Sequence, residues 1–519
     1  MKKGIDKASN LTWKIFYILA LIFVIGMGIE MLIESAPPGY KSPDVNFQAA
    51  KILMISRDTR DLFLDPTNGI PSIYPYLYAL VGSIPVKLLG AEPATSLKWL
   101  GLLAFCLFVF SVYLAGKTIK NHYTAILLVC LSLIMQSFPS KMIDLFLPVP
   151  FQLGLAFMAL ALYFCLKSKK KYSFRLLLLS GITCGIGIGI WTTFIFILPV
   201  FLLLIRDWKE RLLYCLFSLT IVGIVCLPQY IYIYNSGYLH PYKQAGKISD
   251  LLKMPFVGDT PTSLIDFICC TLYLFAALAM KNNRQNREYL WPSAIGLAIV
   301  GILYLLFAPV YGARVQRLVN ILWLLPLAHY LITLKGWRIM PGIGLLVIGL
   351  YYVGQSEHGM ISRAHAEKSH AQSNRPIVSK LNELVPDKEF IFCTLATYHE
   401  IILGNTLKYG IAAHPNDKYY SMDKTVTERM FRDFFIAWST NSEDTLKNIF
   451  KKYNIYYFLL NTQEGFSNKE KAIYKVSERA PVAFRSADNK FIILRIREAD
   501  KSGLKQNSSA ILPYKTERI

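Results

Sequence analysis

From Leu11 to about Gly354 the chain is a succession of apolar blocks separated by short stretches that hold much of its positive charge. Several blocks approach the roughly 20 residues that a helix needs to cross the hydrocarbon core of a bilayer. In that core no water can satisfy backbone N–H and C=O groups, so segments this apolar must bond their own backbone as helices. With 54% hydrophobic and 17% charged residues, and with its apolar residues in blocks, the chain is too apolar for a water-soluble protein of 519 residues. Beyond Gly354 the blocks stop, and strand-like stretches at 389–394, 455–460 and 490–496 alternate with helix-like stretches at 397–407 and 444–453, as in a small soluble α/β domain.

The net charge of +22 is not the footprint of a nucleic-acid binder. Its Lys and Arg residues fall in clusters beside the apolar blocks: Lys2/Lys3/Lys7, Lys117/Lys120, Lys167/Lys169/Lys170/Lys171/Arg175, Arg206/Lys209/Arg211, Lys281/Arg284/Arg287 and Lys335/Arg338. Positive residues stay on the cytoplasmic side. Eleven spans, near 12–33, 98–116, 123–138, 145–166, 176–189, 191–205, 212–232, 264–280, 289–308, 314–334 and 339–354, put every cluster there. Two conditions attach to that threading. Tyr74 to Gly90, with Pro75, Pro85 and Lys87, lies on the membrane as an interfacial helix, and Leu176 to Ile205 folds as a hairpin broken around Gly185-Ile186-Gly187-Ile188-Gly189. The first block, Leu11 to Ile33, is too long for a cleaved leader and is expected to be retained. Of nine cysteines only Cys393 falls in the soluble part, so no disulfide is expected within it. The expected protein is multi-pass in the plasma membrane, with a cytoplasmic N-terminus and an extracytoplasmic C-terminal domain. Residues 1–355 form the membrane module, 356–498 the soluble domain and 499–519 a polar tail.

This threading puts the long loops, with their acids and aromatics, on the outer face: Glu34–Leu97, Pro139–Asp144, Ile233–Ser263 and Pro309–Val315. Four features recur there and beside them in a telling order. They are Ser42-Pro43-Asp44 after the first span, Ile73-Tyr74-Pro75-Tyr76-Leu77-Tyr78 followed by Leu88-Leu89-Gly90, the run Ser180-Gly181-Ile182-Thr183-Cys184-Gly185-Ile186-Gly187 ending at Leu198-Pro199, and Arg317 ahead of Leu325-Pro326. In this order the chain resembles the membrane glycosyltransferases of the C-type (GT-C) fold, the superfamily of dolichyl-phosphate-mannose protein mannosyltransferases and lipid A aminoarabinose transferases (glycosyltransferase family 39). The resemblance covers roughly Leu11 to Leu334. It implies an α-helical polytopic GT-C-like fold with external juxtamembrane helices. It also implies a polyprenyl-phosphate sugar donor, an acceptor hydroxyl on a protein, lipid or glycan, and inversion at the anomeric carbon. At two places the chain departs from that pattern. A second acid after a proline at the start of the fourth span is met by Pro150-Phe151, and a lysine after the glycine-rich run is met by Trp191-Thr192-Thr193.

Transfer to a hydroxyl needs a base beside the anomeric carbon, and a positioned carboxylate serves. Asp44 is the candidate, although an acid at the start of a helical run is also an ordinary N-cap. The phosphate leaving group needs cations at the outer membrane edge, where Arg314 and Arg317 stand ready; either could instead be an arginine reaching for lipid headgroups. Lys243 and Lys247 beside His240 are second candidates, with casual loop residues as the alternative. Tyr74 offers a ring face to a sugar. Asp65 either starts a turn or contacts sugar hydroxyls, and Asp144 either replaces the missing second acid or favours a helix N-terminus. Asp44, Asp144, Asp65 and His240 lack the spacing of a tight metal site, so no cofactor is expected beyond a weakly held divalent ion. Gly185, Gly187 and Gly189 alternate within an apolar run, which suits packing or bending rather than a nucleotide phosphate loop. The alternatives are an arabinofuranosyl or larger-glycan transferase, a transporter or flippase of lipid-linked sugars, and a noncatalytic assembly protein with a degenerate fold. The absence of paired broken helices in two halves speaks against transport.

Overall fold

The computed structural model describes residues 2–35, 43–72, 74–137, 148–235, 274–278, 280–281, 287–306, 309–334, 343–344, 346–351, 354, 361–362, 374–410, 424–463 and 470–496. Asp144, His240, Lys243, Lys247, the tail beyond Ala499 and most of the spans expected near 264–280 and 339–354 lie outside them. The chain forms two compact units. One comprises residues 1–65, 71–372 and 419–422, and the other comprises 66–70, 373–418 and 423–519. Sequence reading ends the membrane module at 355, while this division lies at 372/373 and gives residues 66–70, from the N-terminal part of the chain, to the second unit.

The first unit is helical. Its described elements are α1 (Lys2–Ser35), α2 (Pro43–Arg57), α3 (Leu77–Leu89), α4 (Pro93–Ile119), α5 (His122–Ser137), α6 (Pro150–Lys171), α7 (Phe174–Ile190), α8 (Leu198–Leu204), α9 (Trp208–Asn235), α10 (Leu290–Leu306) and α11 (Pro309–Thr333). Among the described residues five helices are long and apolar enough to cross a membrane: Ile15–Glu34, Pro93–Ile119, Pro150–Lys171, Trp208–Asn235 and Arg314–Thr333. In α1 the buried residues Tyr17, Ala20, Val24, Met27 and Met31 recur at helical spacing, while Ile15, Ile18, Leu19, Ile22 and Phe23 face outward. An apolar outer face of this kind suits lipid. Helices α6 and α11 are mostly enclosed by their neighbours and form the centre, whereas α9 leaves Leu212, Leu216, Leu219, Ile224 and Leu227 exposed. Helix α3, at 13 residues, spans about 20 Å and is too short to cross by itself.

The glycine-rich run behaves differently from the expected bend. Gly185, Gly187 and Gly189 lie inside regular helix, and the break comes later, at Trp191, where α7 gives way to a 3-10 segment (Thr192–Ile197) before α8. The glycines are contact points. A β-carbon on Gly185 would stand 2.6 Å from the Ser218 carbonyl oxygen, one on Gly189 2.6 Å from Val225, and one on Gly187 2.8 Å from the Met158 sulfur. Small residues let α7 press closely against α9 on one side and α6 on the other. Gly185→Ala is therefore expected to cost about 1–3 kcal/mol of stability, because a backbone oxygen cannot yield as a side chain can. Thermal unfolding in detergent checks this, with Gly223→Ala, where a β-carbon meets nothing within 4 Å, as the tolerated control.

The second unit is built on short strands: β1 (Phe390–Ile391), β2 (Tyr409–Gly410), β3 (Tyr457–Asn461), β4 (Val482–Arg485) and β5 (Phe491–Arg495). β1 pairs parallel with β2, and β5 lies antiparallel between β3 and β4. An isolated parallel bridge from Phe392 to Phe458 links the two-stranded sheet to the three-stranded one. Helices α12 (Arg375–Leu384), α13 (Lys424–Ser439), α14 (Glu443–Lys452) and α15 (Ala472–Arg479) complete it. Phe392 anchors the core, with its ring 5.1–5.8 Å from those of Phe434, Trp438, Phe450 and Phe458. The strands expected at 389–394, 455–460 and 490–496 and the helix at 444–453 are present, whereas the helix expected over 397–407 ends as a short π-turn at Ile402. Residues 66–70 are a strap of this unit. The Thr67 carbonyl accepts from the Gly410 amide at 3.0 Å and the Tyr398 hydroxyl at 3.4 Å. Gly69 has φ +73°, and a β-carbon there would meet the Tyr409 ring at 2.9 Å, so only glycine fits without strain.

Candidate active site

Helix α2 carries Asp44 in its first turn, already inside the helix that begins at Pro43 rather than at the capping position the sequence suggested. Its carboxylate, half-buried, sits where the helix dipole favours negative charge. One turn on, Phe47 is buried with its ring 5.1 Å from that of Tyr74. Tyr74 is itself held by its backbone. Gln229 of α9 donates its side-chain amide to the carbonyls of Ser72 and Tyr74 at 2.6 and 2.9 Å, and the Tyr74 amide donates to the Ser72 hydroxyl. The Tyr74 ring meets Trp191 edge-on at 5.8 Å, and Trp191 meets Phe151 at 6.3 Å.

Onto these rings α11 lays two arginines. The Arg314 guanidinium lies 4.4 Å from the Trp191 ring centre and 5.9 Å from that of Phe151; the Arg317 guanidinium lies 5.3 Å from the Phe151 ring. Both arginines are enclosed, at 8% and 3% exposure, which argues against side chains reaching out to headgroups. A cation over an aromatic face is held by the ring quadrupole and keeps its N–H groups in the ring plane for other acceptors. Phe151 and Trp191 are the residues at the two departures from the family pattern. Here they form the walls against which the arginines are fixed.

Lys51 lies two turns beyond Asp44 on α2 and was not singled out in the sequence, although it interrupts the apolar run Ala49-Ala50-Lys51-Ile52-Leu53-Met54. It is buried and donates its amine to the Leu64 carbonyl, with Asp65 and Asp61 as its nearby acids. Burial outweighs the two carboxylates and pushes its pKa down to about 7. Asp65, completely buried, stands near enough to this amine to favour its charged form. Between about pH 7 and the ordinary lysine value the unfolded chain binds a proton here that the folded chain does not, so stability rises with pH across that window. Thermal unfolding from pH 6.5 to 9.5 is expected to show this rise, and Lys51→Met to flatten it while lowering stability at every pH.

The structure brings together Asp44, Tyr74, Arg314 and Arg317 through the rings of Phe47, Trp191 and Phe151, and places Asp65 separately with Lys51. Among the described residues no group of His, Cys, Asp or Glu is arranged to hold a metal ion.

No family model matches the chain, and no curated protein matches its sequence. Solved structures do match its fold. ArnT from Cupriavidus metallidurans in the apo state aligns with a TM-score of 0.59 at 11% identity, covering 94% of this chain and 98% of that one. The oligosaccharyltransferase of Archaeoglobus fulgidus, tethered with an acceptor peptide, aligns at 0.57 and 12%, covering 93% and 74%. The arabinofuranosyltransferase AftD from Mycobacteria aligns at 0.57 and 11%, covering 93% of this chain and 40% of its own. ArnT has also been solved bound to undecaprenyl phosphate, and that structure aligns at 0.58. With its membrane-length helices, the short helices α2 and α3 that follow α1 and these structural matches, the chain is an α-helical polytopic membrane protein with the GT-C fold.

Proposed function

We propose that the protein transfers a sugar from a polyprenyl-phosphate carrier to an acceptor hydroxyl on the outer face of the membrane, with inversion. The observation that carries this reading is the pair of enclosed arginines beside aromatic rings that lead through Tyr74 and Phe47 to the helix of Asp44. The leaving group of this reaction is a phosphate, and guanidinium groups suit it in charge and in shape. Asp44 takes the proton from the acceptor hydroxyl as the acceptor oxygen bonds to the anomeric carbon. The bond from that carbon to the phosphate oxygen breaks on the opposite side, and its electron pair leaves with the phosphate beside Arg314 and Arg317. Trp191 supports the same role: its indole N–H is enclosed and makes no hydrogen bond within the protein, leaving a donor next to Arg314.

Structures of this fold bound to undecaprenyl phosphate and to dolichol-phosphate support a lipid-linked donor. Purified protein in detergent, given radiolabelled polyprenyl-phosphate sugars and membrane extract as acceptor, tests the proposal. Transfer from at least one donor is expected. No transfer from any of them would shift the reading to transport or to a noncatalytic role.

A further inference from the structure

Gln48 is the most anomalous polar residue of the Asp44 helix. It is completely buried, and among the described residues neither its side-chain oxygen nor its nitrogen has a hydrogen-bond partner. An enclosed polar group left unsatisfied is destabilising, and this amide has two. Its neighbours along α2 include the buried apolar residues Val45, Ala49, Ala50 and Ile52, and the buried Lys51, whose amine goes to the Leu64 carbonyl. An apolar side chain would suit the folded protein better. Its place in the helix gives it a use: Gln48 lies four residues after Asp44, one turn along the same face. On α3, which packs against α2 and brings Gly82 against Ile52, the Tyr78 hydroxyl is likewise enclosed and without a partner.

We propose that the Gln48 amide is a substrate-binding, specificity-determining group that pairs with a hydroxyl of the sugar being transferred. This rests on the glycosyltransferase reading above and specifies what its site recognises beside the base. A primary amide offers an acceptor and donors on adjacent atoms, and a hydroxyl offers both in return, so the two satisfy each other reciprocally. A phosphate offers only acceptors and would leave the amide oxygen unmatched. A hydroxyl could belong to the sugar or to the acceptor, and the position one turn from the base, on a helix whose rings lead to the arginines, favours the sugar.

The test compares wild type with Gln48→Met, which keeps length and volume and removes both unsatisfied groups. Gln48→Met is expected to unfold at the same or a higher temperature. Its kcat/KM for the sugar-linked donor is expected to fall at least 10-fold, carried by the donor's KM. Its affinity for bare undecaprenyl phosphate, which has no sugar, is expected to stay within 2-fold of wild type. Binding measured by native mass spectrometry with undecaprenyl-phosphate mannose, glucose and arabinose against the bare lipid provides a second readout that needs no turnover. Unchanged discrimination between sugar-linked and bare lipid in Gln48→Met overturns the proposal. So does an equal loss for both lipids, and a rise only in the acceptor's KM assigns the amide to the acceptor and overturns it too. A wild type that binds sugar-linked lipids but transfers nothing removes the enzymatic reading while the binding comparison still decides on Gln48. A wild type that prefers no sugar-linked lipid over the bare one overturns both.

Discussion

Asp44→Asn is expected to lower sugar transfer about 100- to 10,000-fold while leaving donor binding nearly unchanged, the range over which a positioned general base acts. The asparagine keeps the shape of the side chain on the first turn of α2 and removes its ability to accept a proton. The surrounding packing, including Phe47 against Tyr74, has no reason to move. Asp44 lies inside the first turn of the helix, and losing its charge forfeits a modest interaction with the helix dipole, about 0.3–1 kcal/mol. Stability and catalysis therefore separate cleanly. Single-turnover transfer alongside donor binding gives the comparison, and a variant that transfers at the wild-type rate removes Asp44 from the chemistry.

The second large effect falls on the arginines. Arg314→Ala is expected to weaken binding of undecaprenyl phosphate about 100-fold or more, as loss of one member of an enclosed charged interaction costs roughly 2–5 kcal/mol. Arg314→Lys is expected to recover little of it. The Arg314 guanidinium lies 4.4 Å from the Trp191 ring centre and offers a planar fork suited to phosphate, whereas an ammonium is a compact, strongly hydrated charge. The stacking itself is testable with a double-mutant cycle of Arg314→Lys and Trp191→Leu. A coupling of about 0.5–2 kcal/mol is expected if the ring fixes the cation. Additive effects would mean that Trp191 packs without orienting Arg314. Arg317→Ala, whose guanidinium faces Phe151 alone of these rings, is expected to weaken binding less.

Much of the membrane architecture could be read from local pattern. Helix α1, the long apolar helices α4, α6, α9 and α11, and the strands around Phe390, Tyr457 and Phe491 follow from block length and alternation. The acid after the first span and the arginines at the start of α11 were visible for the same reason, since an isolated charge in apolar surroundings stands out. Lys51 carried that signal too but was masked by its membership of a short, mixed helix. The glycine run shows where local reasoning went astray: alternating glycines permit a bend, yet the neighbouring helices turned that freedom into close packing, and the backbone broke at Trp191 instead.

The sequence by itself determined that the chain is built of membrane helices followed by a small α/β unit, and it set Asp44, Arg314 and Arg317 apart as charges beside apolar blocks. Hydropathy and charge act locally, and the bilayer converts them directly into helices. Only the tertiary structure decided that Trp191 and Phe151 are walls for Arg314 and Arg317, that Asp65 lies near the buried amine of Lys51, that residues 66–70 are a strap of the C-terminal unit, and that Gln48 is enclosed without a hydrogen-bond partner among the described residues. Each of these depends on which side chains meet across helices far apart in sequence. A ring or an amide has the same local character whether it faces lipid, a neighbouring helix or a substrate, and only packing chooses among them.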